Sequence, residues 1–250
     1  VVLILVSLVG AMAFLWPFFI DPQVGLAHGR DAPWLFAALM SLLGLTLLAE
    51  QSSGRLDAKT VAVLGVLAAL GGSLRVLSAG TAGLEPVFFL VVVAGRVLGR
   101  RLAFLAGALI LLLGAFLTGG IGPWAPFQMI ATGWVALGAA LLPAWRGRRE
   151  VLLLAAYGLV MGLGYGVVMN LWFWPFMGAT APSGAAFVAG GELAVNLTHY
   201  AVFYLTTSLA WDLPRGVLTC VLIVTAGRPV LAALRRAVRQ ASFEAVGRFE

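Results

Sequence analysis

Between residues 151 and 174 the chain carries no charged side chain. As an α-helix that run is about 36 Å long, enough to cross the roughly 30 Å hydrocarbon core of a bilayer. The feature recurs. Residues 1–20 and 33–49 form two further apolar runs, and 60–78, 84–99, 102–119, 127–145 and 217–234 bring the set to eight. In hydrocarbon every backbone polar group needs an internal partner, and helices supply one without exposed edges. The pattern predicts an all-α polytopic membrane protein. A composition of 62% hydrophobic and 10% charged residues, with mean hydropathy +1.02, excludes a soluble fold.

The net charge of +6 would admit a nucleic-acid partner, but the arginines sit in short gaps between apolar runs and so set topology instead. With a cytoplasmic N-terminus, the inner side receives Arg55, Lys59, Arg96, Arg100, Arg101, Arg146, Arg148, Arg149, Arg228, Arg235, Arg236, Arg239 and Arg248. The outer side keeps Arg30, Arg75 and Arg215. Residues 192–211 are apolar enough for a ninth span, yet a crossing there would move the C-terminal arginines outside. They are therefore expected to form a lid helix lying on or dipping into the outer face. Asp212-Leu-Pro-Arg-Gly is then the turn that starts the last span, since proline ends one helix and is tolerated at the start of the next. Both termini are expected in the cytoplasm of a multi-pass cell-membrane protein. The hydrophilic stretch 50–59 (EQSSGRLDAK) divides an N-terminal helix pair, residues 1–50, from a core at 58–240 and a tail at 241–250. The chain opens on Val1 inside an apolar segment, so a short upstream piece is expected. That segment lacks a basic n-region and a cleavage site and reads as a true span.

Residues 120–128 (GIGPWAPFQ) break two apolar runs with Pro123 and Pro126 and place Trp124, Phe127 and Gln128 at an outer boundary. Asn170 and Trp172, and Asn196, His199, Tyr200 and Tyr204 of the lid, come to the same side. An aromatic belt accounts for single tryptophans there. The amides ask for hydrogen-bond partners, as in a concave site with a few placed polar groups. Arg75 and Glu85, separated by a short loop, can form a rim ion pair or present one member to a ligand. Ala58, Ala62, Gly65, Ala69 and Gly72 recur every three or four residues on one helical face, a stripe that lets another helix backbone approach closely. Either a helix of this chain or another protein can fill that role. Cys220 is single, no metal-ligand spacing occurs, and the motifs HExxH, CxxC and the Walker A lysine are absent. An intramembrane enzyme using His199, Glu85 and Glu192 on a lipid substrate, or a purely structural membrane protein, remain as alternatives.

Four stretches carry a resemblance: DAKTVAVLGVLAALGGSLRVL, GTAGLEPVFFLVVVAGRVLG, LTGGIGPWAPFQM, and the ending from WDLPRGVL to GRPVLAALRRA. Together they resemble the substrate-binding S component of an energy-coupling factor (ECF) transporter of the actinobacterial kind, most of all its cobalamin-type group. The resemblance implies a six-helix core, here with two extra N-terminal helices. It implies capture of a vitamin from outside, association with a transmembrane coupling protein and two ATPases, and delivery by toppling in the bilayer. Ala58, Ala62, Gly65 and Ala69 match the family's small-xxx-small contact for the coupling protein. The expected substrate-binding set is Arg75, Glu85, Trp124, Phe127, Gln128, Asn170, Trp172, Asn196, His199, Tyr200 and Tyr204, with Gln128 facing the cavity. No cofactor beyond the bound vitamin is expected, with cobalamin the leading candidate and riboflavin another, and no nucleic acid.

Overall fold

A computed structural model of the chain describes residues 2–15, 18, 28–52, 57–78, 81–177 and 180–243. Among the described residues eight α-helices follow one another: α1 Val2–Leu15, α2 His28–Ser52, α3 Ala58–Leu77, α4 Val87–Leu117, α5 Ala125–Leu141, α6 Arg148–Phe173, α7 Leu193–Phe203 and α8 Leu209–Phe243. No strand occurs among the described residues. Four helical segments among the described residues are long and apolar enough to cross a membrane: Ala58–Leu77, Val87–Leu117, Arg148–Phe173 and Leu193–Gln240. Shorter apolar helices at Val2–Leu15, Phe36–Ala49 and Ala125–Leu141 complete a multi-pass helical bundle.

α4 is two arms rather than one rod. Gly99 has φ 75 and ψ 167, a conformation open to glycine and strained for other residues. Gly95 and Gly107 lie on opposite sides of it, and a straight helix would hold them about 18 Å apart. Both instead press against α5, Gly95 on the backbone of Ala136 and Gly107 on that of Thr132, one turn away. The arms therefore fold back on each other at Gly99, as the two runs 84–99 and 102–119 require. A Cβ at Gly107 would come within 2.6 Å of the Thr132 carbonyl oxygen, so the close helix contact depends on the missing side chain.

The N-terminal pair is built into the same core. Phe14 packs edge-on to Phe127 at 5.1 Å, Trp134 Nε1 donates to Ser7 Oγ at 3.0 Å, and Leu39 and Leu43 of α2 join the same buried cluster. Asp57 caps α3, its Oδ1 accepting from the Thr60 amide at 2.8 Å. Hydrogen bonds from Thr60 hold this carboxyl below its ordinary range.

The expected break at Asp212–Gly216 is corrected by the structure. α7 does form, but it runs through a π turn, Tyr204–Ser208, straight into α8, with Pro214 inside the helix. Proline removes one backbone hydrogen bond, which bends a helix without ending it where neighbouring helices hold both flanks. Here Arg215 is tied to α6 and to the loop before α4, and Gly216 packs against Leu159. The 48-residue segment Leu193–Gln240 would be about 72 Å long if straight. No chain reversal interrupts it, so it offers one crossing rather than two.

Candidate functional site

Asp212 and Arg215 are three residues apart, a spacing that puts both on one face of α8. Arg215 is 8% exposed. Its Nε and Nη2 donate to the two oxygens of Glu85 at 3.1 and 3.3 Å. Its Nη1 donates to Asp212 Oδ1 and to the Gly162 carbonyl oxygen. The guanidinium also lies 5.2 Å from the Phe88 ring centroid and 5.1 Å from that of Tyr165. Two carboxylates and two ring faces thus answer a cation that would otherwise be costly to bury. They pin the start of α4, the middle of α6 and α8 together.

Beside this pinned cation three buried polar atoms make no hydrogen bond of regular geometry among the described residues: Asp212 Oδ2, Asn170 Nδ2 and the Tyr204 hydroxyl, the last of which approaches the Asp212 carboxylate without closing a regular bond. They are neighbours. The Asp212 carboxylate presses on Gly166, Asn170 follows one turn later on the same face of α6, and Tyr204 interacts electrostatically with Asp212 from the start of the π turn. A π turn shifts the register of the side chains that follow it and recurs at functional sites. Each unanswered buried group costs about 1–3 kcal/mol. As a set they offer an amide donor, an anionic acceptor and a hydroxyl that can do either.

A second group lies along α3, α5 and the end of α6. Arg75 Nη2 donates to Gln128 Oε1 at 3.3 Å, and its stem crosses α4 at Gly114, where no side chain obstructs it. Phe127 is 1% exposed and lies 5.7 Å from Trp172. Trp124 contacts Trp172 edge-on at 6.3 Å and donates through Nε1 to the Gly120 carbonyl oxygen. The rim pair anticipated between Arg75 and Glu85 is replaced by two other pairings. The two-pronged fork of Arg215 satisfies both oxygens of Glu85, while Arg75 turns to α5.

Three residues expected at the substrate are engaged by the chain's own backbone. Asn196 accepts from the Val188 amide at 2.9 Å and donates to the Val188 carbonyl oxygen at 2.8 Å. His199 Nδ1 lies 2.7 Å from the Ala186 carbonyl oxygen, and the Tyr200 hydroxyl donates to that of Val167. With Trp174 Nε1 donating to the Ala185 carbonyl oxygen at 2.6 Å, they bolt the loop before α7 onto the bundle. Asp212, Arg215 and Tyr165 were not among the expected site residues. The acid-to-base spacing of three, within an apolar run, is the signal that marks them.

Of the small-residue stripe, Ala58, Ala62, Gly65 and Ala69 are exposed, and a Cβ at Gly65 would meet nothing within 4 Å. Gly72 instead packs on α4 near Gly114 and Leu117. Among the described residues no group of three or more His, Cys, Asp or Glu could hold a metal ion.

A model of the family described as ECF transporter, substrate-specific component, matches residues 59–226, more than half of the chain. The chain belongs to that family. An S component is the membrane-embedded subunit that binds the substrate of an ECF transporter, and it works with the coupling and ATPase components rather than as an enzyme. The matched stretch runs from α3 into α8 and so contains Arg75, Glu85, Gln128, Asn170, Tyr204, Asp212 and Arg215. It leaves α1 and α2 outside. No curated protein and no solved structure matches the chain.

Proposed function

We propose that this S component captures a vitamin, with cobalamin or a related corrinoid as the leading identity, at the end of the bundle that carries Gln128, Asn170 and Asp212. The observation that carries the reading is the trio of buried, unanswered polar atoms on Asn170, Tyr204 and Asp212. A solute with amide or hydroxyl groups would satisfy all three, and a corrinoid bears many amides. Arg75 and Gln128 add a cationic and a neutral polar group, and Trp124, Phe127 and Trp172 an aromatic wall. Trp124, 39% exposed, stands at its outer edge. Asn196, His199 and Tyr200 act in this reading by holding the loop that closes over the site. The end is outward-facing if both termini are cytoplasmic, as the arginine distribution favours.

Ala58, Ala62, Gly65 and Ala69 form the proposed contact with the coupling protein, whose two ATPase subunits supply the energy for delivery by toppling. Flat aromatic neighbours would also suit a flavin, so riboflavin is the competing cargo. The test is ATP-dependent uptake of labelled cobalamin into vesicles that hold this chain together with a coupling protein and its ATPases. Accumulation that requires this chain supports the reading. Accumulation of labelled riboflavin and not of cobalamin would reassign the cargo.

A further inference from the structure

At the opposite end of the bundle, the α4 reversal, the α5–α6 loop and the last turns of α8 line an open cavity of about 370 Å³. Its charged lining is Arg96, Arg146, Glu150, Arg235 and Arg239, four guanidiniums against one carboxylate, and Val97 contributes to an apolar wall. That volume is within the range of small-molecule sites.

The floor is built. Glu150 is 2% exposed, and its Oε1 accepts from Arg96 Nε at 2.8 Å and from Arg235 Nη2 at 2.5 Å. Arg96 spends three of its four remaining donors on the carbonyl oxygens of Leu142, Pro143 and Trp145. It is therefore an anchor with most of its donors committed, and it shapes the loop. Arg235 is shared with a carboxylate already engaged by Arg96, and no carboxylate pairs Arg146 or Arg239 among the described residues. Membrane topology asks only that basic residues lie on one side. It does not ask for a cavity around a buried carboxylate with surplus positive charge.

We propose that this cavity binds the phosphate of an anionic phospholipid headgroup. The depth of the site favours a lipid. Trp145, 49% exposed, and Leu141, 53% exposed, belong to the same loop and helix end, placing the cavity where an apolar surface gives way to a polar one. Arg146, Arg239 and the free edge of Arg235 offer forked donors that match phosphate oxygens. The apolar wall can receive the start of an acyl chain. Basic pockets between membrane helices take anionic headgroups for the same reasons. The proposal rests on the membrane-spanning fold and not on the identity of the cargo.

The test is native mass spectrometry of the full chain in detergent titrated with phosphatidylglycerol or phosphatidylcholine, with inorganic phosphate alone as a third arm. The native chain is expected to retain phosphatidylglycerol in preference. Arg146→Gln with Arg239→Gln, both exposed positions outside the Glu150 pair, is expected to reduce that preference on the order of tenfold. A single Arg239→Gln variant gives an intermediate loss, and lipid-free melting temperatures confirm that each variant folds. Equal retention of the two lipids, or a preference unchanged in the double variant, overturns the proposal. Binding of inorganic phosphate that displaces no lipid overturns the lipid assignment in favour of a soluble anion.

Discussion

Arg215 and Glu85, 130 positions apart in the chain, meet through two parallel contacts, Nε to Oε2 at 3.1 Å and Nη2 to Oε1 at 3.3 Å. The same guanidinium holds Asp212, and the two carboxylates differ in exposure: the Glu85 side chain is 31% exposed and that of Asp212 5%. Removal of the shared cation strands the buried acid far more than the exposed one. Arg215→Met is therefore expected to destabilise the chain by about 3 kcal/mol, and Glu85→Gln by about 1 kcal/mol or less. Thermal melting in detergent measures both. Equal losses would show that Asp212 does not depend on Arg215.

Tyr204→Phe removes a buried hydroxyl that approaches Asp212 but closes no regular hydrogen bond among the described residues. Stability should change by less than about 1 kcal/mol, because the poorly satisfied hydroxyl and its contact with Asp212 are lost together. Cargo affinity should fall about five- to tenfold, the worth of one hydrogen bond to the bound solute. Melting temperature and equilibrium binding on the same preparation separate the two effects. A fall in both together would mean that the hydroxyl is structural.

Gly65 and Gly95 make a contrasting pair. A side chain at Gly95 meets the backbone of Ala136, whereas one at Gly65 meets open space. Gly95→Ala should cost about 1–3 kcal/mol by prising α4 from α5. Gly65→Leu should leave the isolated chain stable and able to bind cargo, yet prevent co-purification with the coupling protein. Retained assembly in Gly65→Leu would move the partner surface elsewhere.

Gly99→Ala tests the reversal of α4. Its φ of 75 with ψ 167 lies in a region essentially confined to glycine and costs an L-residue about 1–3 kcal/mol, although nothing lies within 4 Å of the added carbon. Melting should report that loss without the larger penalty of a steric clash. An unchanged melting temperature would show that the turn relaxes without strain.

The fold was largely readable because lipid imposes one rule on every segment: apolar length marks a helix, and arginine marks its end. Residues 84–99 and 102–119 read as two helices, and Gly99 is where they part. The failure at Asp212–Gly216 has a physical cause. Proline is a local signal, and its local cost was offset by the long-range ion pair of Arg215 to Glu85, which no spacing within the segment discloses. The same limit applies to Arg75, which had Glu85 as its nearest acid in sequence but Gln128 as its partner in space. Asn196 and His199 were legible as polar groups in apolar surroundings. That their partners would be the carbonyl groups of Val188 and Ala186 was not, since an unpatterned loop gives no register.

Asn170, Tyr204 and Asp212 are proposed to hold the cargo. The most direct test is to identify, by absorbance and mass, the small molecule retained by the purified chain and by an Asn170→Ala, Tyr204→Phe double variant. A corrinoid is expected on the native chain and little or none on the folded variant. A flavin on the native chain would contradict the cargo, and the same molecule retained equally by both proteins would contradict the site.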